Sequence, residues 1–199
     1  MKVYNHGKRE VNQVAITFDD GPGPCTEEIL DILRFYDVKV TFFVLGKWAE
    51  KYPDIVRRVV REGHSIGNHT YSHLSRWLRK GDFKRAEGVI SSIIGESTRF
   101  IRAPYFNTIG CRGYYPIKQG LVKIVGADVE PKDWKNKAED IQKIVKEETK
   151  NGSILVLHDG SEKWKELKSR PLEMTRALPG ILEFLKSEFN LVRLEEFIF

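Results

Sequence analysis

The stretch AITFDDGPGP, residues 15–24, sets two carboxylates side by side at the end of an apolar run. QVAITF (13–18) reads as a strand. Asp19 and Asp20 follow at its C-terminal end, and Gly21-Pro22 then breaks the chain. Adjacent like charges repel, so a fold that buries them must compensate one, or protonate it. Taken alone, DDG also reads as an acidic turn.

Outward from this strand the pattern alternates. TEEILDILRFY (26–36) has helical spacing, with Thr26 as its N-cap and acids in the first turn. VKVTFFVLG (38–46) is a continuous apolar run, as in a strand covered on both faces. PDIVRRVVREG (53–63) is a helix with Pro53 at its start and Gly63 past its end. HSIGNH (64–69) is a short strand, DFKRAEGVISSII (82–94) a helix, TRFIRAP (98–104) a strand. GLVKIVGADV (120–129), GSILVLHD (152–159) and NLVRLEEF (190–197) read as further strands. KAEDIQKIVKEET (137–149) and TRALPGILEFLKSE (175–188) read as helices. Alternating buried strands and amphipathic helices imply right-handed crossovers and a parallel sheet. An irregular (β/α) barrel and an open α/β sheet both fit. In either, reactive groups belong at the C-terminal strand ends. Asp19, Asp20, His69, Arg102, Asp133 and His158 all stand at or just after such an end.

The whole chain agrees with a soluble globular protein. Its 199 residues suffice for one domain with a substantial core. Apolar residues make up 41% and charged residues 31%, and no linker or solenoid repeat interrupts them. The net charge is +5 and the pI about 9.1, but basic and acidic residues are interspersed. No basic cluster with interleaved aromatics points to nucleic acid. No apolar run approaches a membrane span, and MKVYNHGKREVNQ lacks a signal core. The expected location is cytoplasmic if the chain is complete, and cell envelope or secreted if an export segment has been removed.

NHTYSH places His69 and His73 four residues apart. On a helical turn two such imidazoles face one ion; a surface or core pair is the plain alternative. Two histidines and one carboxylate leave coordination positions open, the pattern of a catalytic zinc site. Such an ion would compensate one aspartate of the DD pair, and Arg102 in RAPY would hold the other.

With these residues in place the chain resembles the polysaccharide deacetylases of carbohydrate esterase family 4, the NodB homology domain. Five motifs occur in order over about residues 13–197: TFDDGP (17–22), HTYSH (69–73), RAPY (102–105), DW (133–134) and LVLH (155–158). The resemblance implies a distorted (β/α) barrel and a divalent metal, zinc foremost, with cobalt, manganese or nickel as alternatives. It implies Asp20, His69 and His73 as metal ligands, Asp19 as general base and Arg102 as its partner. Tyr105 would offer a backbone N–H to an oxyanion, and His158 would be the general acid with Asp133 beside it. It implies Trp134 and Leu155 as walls of an acetyl pocket, although by residue type alone Trp134 reads equally as core and Leu155 reads as core. The implied activity removes N-acetyl groups from N-acetylglucosamine glycans such as chitin-type oligomers or peptidoglycan. Acetyl xylan, a small amide, or an inactive carbohydrate-binding domain are the competing readings.

The third motif departs from the usual Arg-Pro-Pro-Tyr-Gly: Ala103 and Phe106 replace proline and glycine. Tyr114 and Tyr115 would either form a sugar-stacking aromatic rim beyond it or pack into the core. Cys25 and Cys111 follow the first and third motifs; they either stay free thiols or, if these loops meet in an oxidising compartment, can form a disulfide. His64 is read as a packing residue and His6 as a surface residue.

Overall fold

The computed structural model describes residues 2–73, 80–108, 111, 119–161 and 171–198. Tyr114 and Tyr115 lie outside them. The strands are β1 (Val3–Tyr4), β2 (Gln13–Asp19), β3 (Thr41–Val44), β4 (Ser65–Asn68), β5 (Phe100–Ile101), β6 (Lys123–Val125), β7 (Ile154–His158) and β8 (Asn190–Leu191). All pair in parallel, in the order β1-β6-β5-β4-β3-β2-β7, with β8 added to the start of β2. The two outer edges of this curled sheet approach through one antiparallel bridge, His6 with Ser153. This is the distorted (β/α) barrel, rather than the open sheet.

The helices are α1 (Thr26–Phe35), α2 (Gly46–Lys51), α3 (Pro53–Arg61), α4 (Lys80–Ile94), α5 (Ala138–Glu148), α6 (Pro171–Glu188) and α7 (Leu194–Ile198). None of the described helices is long and apolar enough to cross a membrane. Strand parity divides the core. Val14, Ile16 and Phe18 of β2 join Phe42, Val44, Leu155 and Leu157 in the layer under the helices. Ala15 packs instead with Phe43, Phe100, Val125 and Ile154 in the barrel interior. Side chains alternate along a strand, so Thr17 and Asp19 share the interior face with Ala15. Gly67 serves this interior, because a Cβ there would collide with the Phe43 ring.

Two local expectations are corrected and one open alternative is decided. The last strand stops at Leu191, and residues 194–198 form α7. Leu194 and Phe197, three apart on that helix, fill the interior where the strands begin. Thr26 does not cap α1, because it is already the first helical residue. Its hydroxyl accepts the Gly23 N–H at 2.6 Å and donates to Asp159 Oδ2 at 2.6 Å. Cys25 and Cys111 are both free and buried, and they belong to separate core clusters. Burial pushes both thiols up to about 12.

Candidate metal centre and active site

The first two carboxylates stand on consecutive residues. Asp19 ends β2 with its side chain inward and is 3% exposed. Asp20 takes φ 73, a left-handed conformation that turns the next side chain away from strand alternation. Asp19 Oδ1 accepts a 2.7 Å hydrogen bond from Arg102. Arg102 is fully buried, beneath the Phe43 ring, and also donates to Thr17 Oγ1 and the Gly126 carbonyl, both at 2.7 Å. A buried guanidinium is costly unless its donors are used, and this one has a carboxylate, a hydroxyl and a carbonyl. Burial lowers its pKa, and Asp19 opposes that effect.

Asp20 faces the histidine pair. Its Oδ1 lies 3.4 Å from His69 Nε2 and 3.2 Å from His73 Nε2. His69 Nδ1 is 2.8 Å from the Arg102 carbonyl. A carbonyl can only accept, so Nδ1 carries the proton and the neutral ring turns an Nε2 lone pair toward Asp20. Asp20 Oδ1 itself is buried without a hydrogen-bond partner. Ligand atoms of Asp20, His69 and His73 all lie within 4.8 Å of one another. Converging lone pairs in a buried site demand a cation among them, either a proton or a metal ion. The same demand shows in the ionisation. Burial would raise the Asp20 carboxyl, yet His69 and His73 hold it far below the usual carboxylate range. Burial would lower His69, yet Asp19 and Asp20 raise it. The donor set fits a divalent metal with open positions.

The two histidines do not share a helical turn, as their spacing suggested. They meet through a loop after β4 in which Thr70 and His73 have φ 74 and 58. Thr70 Oγ1 accepts the His73 N–H, and Asn68 Oδ1 accepts the Thr70 N–H. Asp82 on α4 clasps the loop from outside. Its Oδ2 accepts the N–H groups of Tyr71 and Ser72, both at 3.2 Å, and its Oδ1 accepts the Ser72 hydroxyl at 3.0 Å. Asp82 carried no signal in the sequence beyond standing in a helix's first turn.

On the other side of Asp19, β7 pairs in register and sets His158 opposite it. His158 Nδ1 lies 2.8 Å from Asp133 Oδ1, and the His158 N–H donates to Asp133 Oδ2 at 2.7 Å. Burial would lower this imidazole, but the Asp133 carboxylate lifts it to about 10. Trp134 meets the His158 ring edge-on at 4.9 Å. Tyr105 lies across the cluster, its ring 4.9 Å from that of His73. Asp159 lies beneath the DD turn, and burial pushes its carboxyl up to about 7. A Cβ at Gly21 would strike its carboxylate, so the turn can sit this close only with glycine there.

Leu155 is not a pocket wall. It pairs with Ile16 and lies in the layer under the helices, fully buried. Val156, one residue on, pairs with Thr17 and shares the interior parity of Asp19 and His158. A shift of one residue changes the face, and Val156 takes the position that Leu155 was expected to hold.

Comparison with known proteins places this geometry. A family described as polysaccharide deacetylase matches residues 6–108. A peptidoglycan-N-acetylglucosamine deacetylase of Bacillus cereus is 38% identical over 73% of this chain, and the match spans 55% of that relative's length. A chitooligosaccharide deacetylase of Azorhizobium caulinodans is 34% identical, over 75% of this chain and 74% of its own. The crystal structure of a peptidoglycan N-acetylglucosamine deacetylase superposes with a TM-score of 0.88 at 32% identity. That superposition covers 98% of this chain and 92% of the other.

Proposed function

Because this chain belongs to the polysaccharide deacetylase family, we propose that it is a metal-dependent hydrolase removing N-acetyl groups from N-acetylglucosamine-containing glycans. The observation that carries the reading is the unpartnered Asp20 Oδ1 between two imidazole nitrogens, with Asp19–Arg102 and His158–Asp133 on either side. A binding module needs neither an arginine-held carboxylate nor a cationic histidine beside such a cluster.

Asp20, His69 and His73 would hold the ion, zinc by the character of the donors, with cobalt, manganese or nickel as substitutes. Bound there, a divalent ion supplies Lewis acidity toward water and toward an acyl oxygen. Asp19, kept oriented by Arg102, takes a proton from the attacking water. The backbone N–H of Tyr105 donates to the oxygen on which negative charge develops; one such donor is typically worth about 10²–10³ in rate. His158 enters as the imidazolium and gives its proton to the departing nitrogen as the C–N bond breaks. Asp133 orients it and favours that charged form. The products are acetate and a free amino sugar. Trp134 stands against His158 and bounds the space for the acetyl group, with Val156 on the inner strand face.

The test is acetate release, with added zinc, from N-acetylglucosamine oligomers, peptidoglycan fragments and acetylated xylan. Release from an N-acetylated glycan is expected, reduced about 10²–10⁴-fold by Asp19→Asn. Release from xylan alone would move the reading to ester hydrolysis. No release from any substrate by folded, metal-loaded protein would overturn it.

A further inference from the structure

At the edge of this site two consecutive aromatic residues, Tyr105 and Phe106, have left-handed backbone, with φ 54 and 53. Bulky side chains rarely adopt that conformation, and strain of this kind persists where a ligand site requires it. Core packing does not explain the choice of residue. Tyr105 is 60% exposed and Phe106 39%. The Phe106 ring lies 5.9 Å from the Arg102 guanidinium that holds Asp19, while the Tyr105 ring meets His73. The Phe106 ring thus stands beside the arginine that holds Asp19, and the Tyr105 ring beside His73.

We propose that Phe106, flanked by Tyr105, is a specificity-determining surface on which the apolar face of a pyranose ring of the glycan lies. The inference rests on the glycan deacetylase reading above. A pyranose presents axial C–H groups on one face, weakly positive at their hydrogens, and an aromatic face is the negative pole of its quadrupole. The contact is made to the sugar and not to the reacting acyl group. Phe106 therefore governs glycan binding and leaves acyl chemistry on a sugar-free substrate untouched.

The discriminating pair is Phe106→Asn and Phe106→Trp. Asparagine tolerates the left-handed backbone and removes the ring; tryptophan keeps an aromatic face. The N-acetylglucosamine tetramer is titrated calorimetrically into zinc-loaded protein, and 4-nitrophenyl acetate hydrolysis is followed in parallel. Phe106→Asn is expected to raise the tetramer Kd about tenfold, with Phe106→Trp close to the original protein. Hydrolysis of 4-nitrophenyl acetate should be unchanged in both, and the Phe106→Asn melting temperature no lower. An unchanged tetramer Kd, or no tetramer binding by the original protein, overturns the proposal. So does an equal loss on both substrates or a fall in melting temperature, since either assigns the ring a structural role. Tetramer binding without acetate release would instead count against the deacetylase reading.

Discussion

His158 and His64 stand at opposite ends of the barrel and meet opposite fates. His158 closes β7 at the mouth; His64 immediately precedes β4 at the other end. Both lie edge-on against an aromatic ring, Trp134 at 4.9 Å and Phe42 at 5.6 Å. Their Nδ1 atoms differ in partner. At His158 it points at the Asp133 carboxylate, and at His64 it accepts the Val40 N–H. Burial disfavours the cation in both. The carboxylate overrides it at His158, lifting the group to about 10. At His64 burial prevails, with Lys39 adding to it, and the pKa falls to about 4. The same side chain is thus a stored proton at the mouth and a neutral packing group at the base. The partner atom decides which.

The largest effect should come from deleting the stored proton. His158→Ala is expected to cut acetate release from N-acetylglucosamine oligomers about 10²–10⁴-fold. Zinc affinity by calorimetry should be retained, because His158 is outside the Asp20, His69, His73 cluster. Loss of zinc binding in that variant would place His158 in the metal site instead. Asp133→Asn attacks the comparison more directly, by giving the mouth histidine a neutral partner. The imidazolium of the original protein is present below about pH 10. The alkaline limb of kcat/KM should therefore lie near that value, and move to lower pH in Asp133→Asn. Coincident limbs would mean that His158 is not the group being titrated.

The mouth also holds most of the backbone strain. Asp20, Thr70, His73, Tyr105 and Phe106 are five of the seven non-glycine residues with positive φ among those described. Such a loop needs outside support, and Asp82 supplies it through three hydrogen bonds to Tyr71 and Ser72. Asp82→Ala is expected to weaken zinc binding about 10–100-fold while leaving the fold intact. Competition with a chromophoric chelator measures the first, and far-ultraviolet circular dichroism the second. Unchanged zinc affinity would show that the loop holds its shape without the clasp.

What the sequence made legible follows from this division. C-terminal strand ends were readable, so Asp19, Asp20, His69, Arg102, Asp133 and His158 were expected on one face, where the structure gathers them. Leu155 was misplaced because the motif runs through a fully apolar strand, where no alternation marks which residues face inward. The link between His69 and His73 was misread as a helical turn, because i,i+4 spacing is ambiguous without the left-handed residues that the structure shows. Asp82 was invisible, since its contacts cross from α4 to a loop ten residues earlier. Residues 194–197 were assigned to a strand by extension of NLV, although Leu194 and Phe197 already carried a helical spacing. The sequence left Cys25 and Cys111 open between free thiols and a bridge; they are free because both serve as small apolar groups in different clusters.

The smallest effect tests the other half of the comparison, at the base. His64 is buried, its Nδ1 already accepts a backbone proton, and its Nε2 has no hydrogen-bond partner. Protonating Nδ1 would break the Val40 bond, so the folded state resists the charge. In the unfolded chain the group takes its proton near pH 6.5, and in the folded state near 4. Between those values the unfolded state binds more protons. Stability must therefore fall as pH drops through that window, by up to about 3 kcal/mol from this residue. His64→Gln can keep an acceptor for the Val40 N–H and cannot titrate. Its unfolding free energy, measured by urea denaturation at pH 7 and pH 4.5, should decline less over that interval than the original protein's. A parallel decline would mean that His64 accepts its proton in the folded state. The barrel would then hold two cationic histidines, and the contrast between its ends would rest on carboxylates alone.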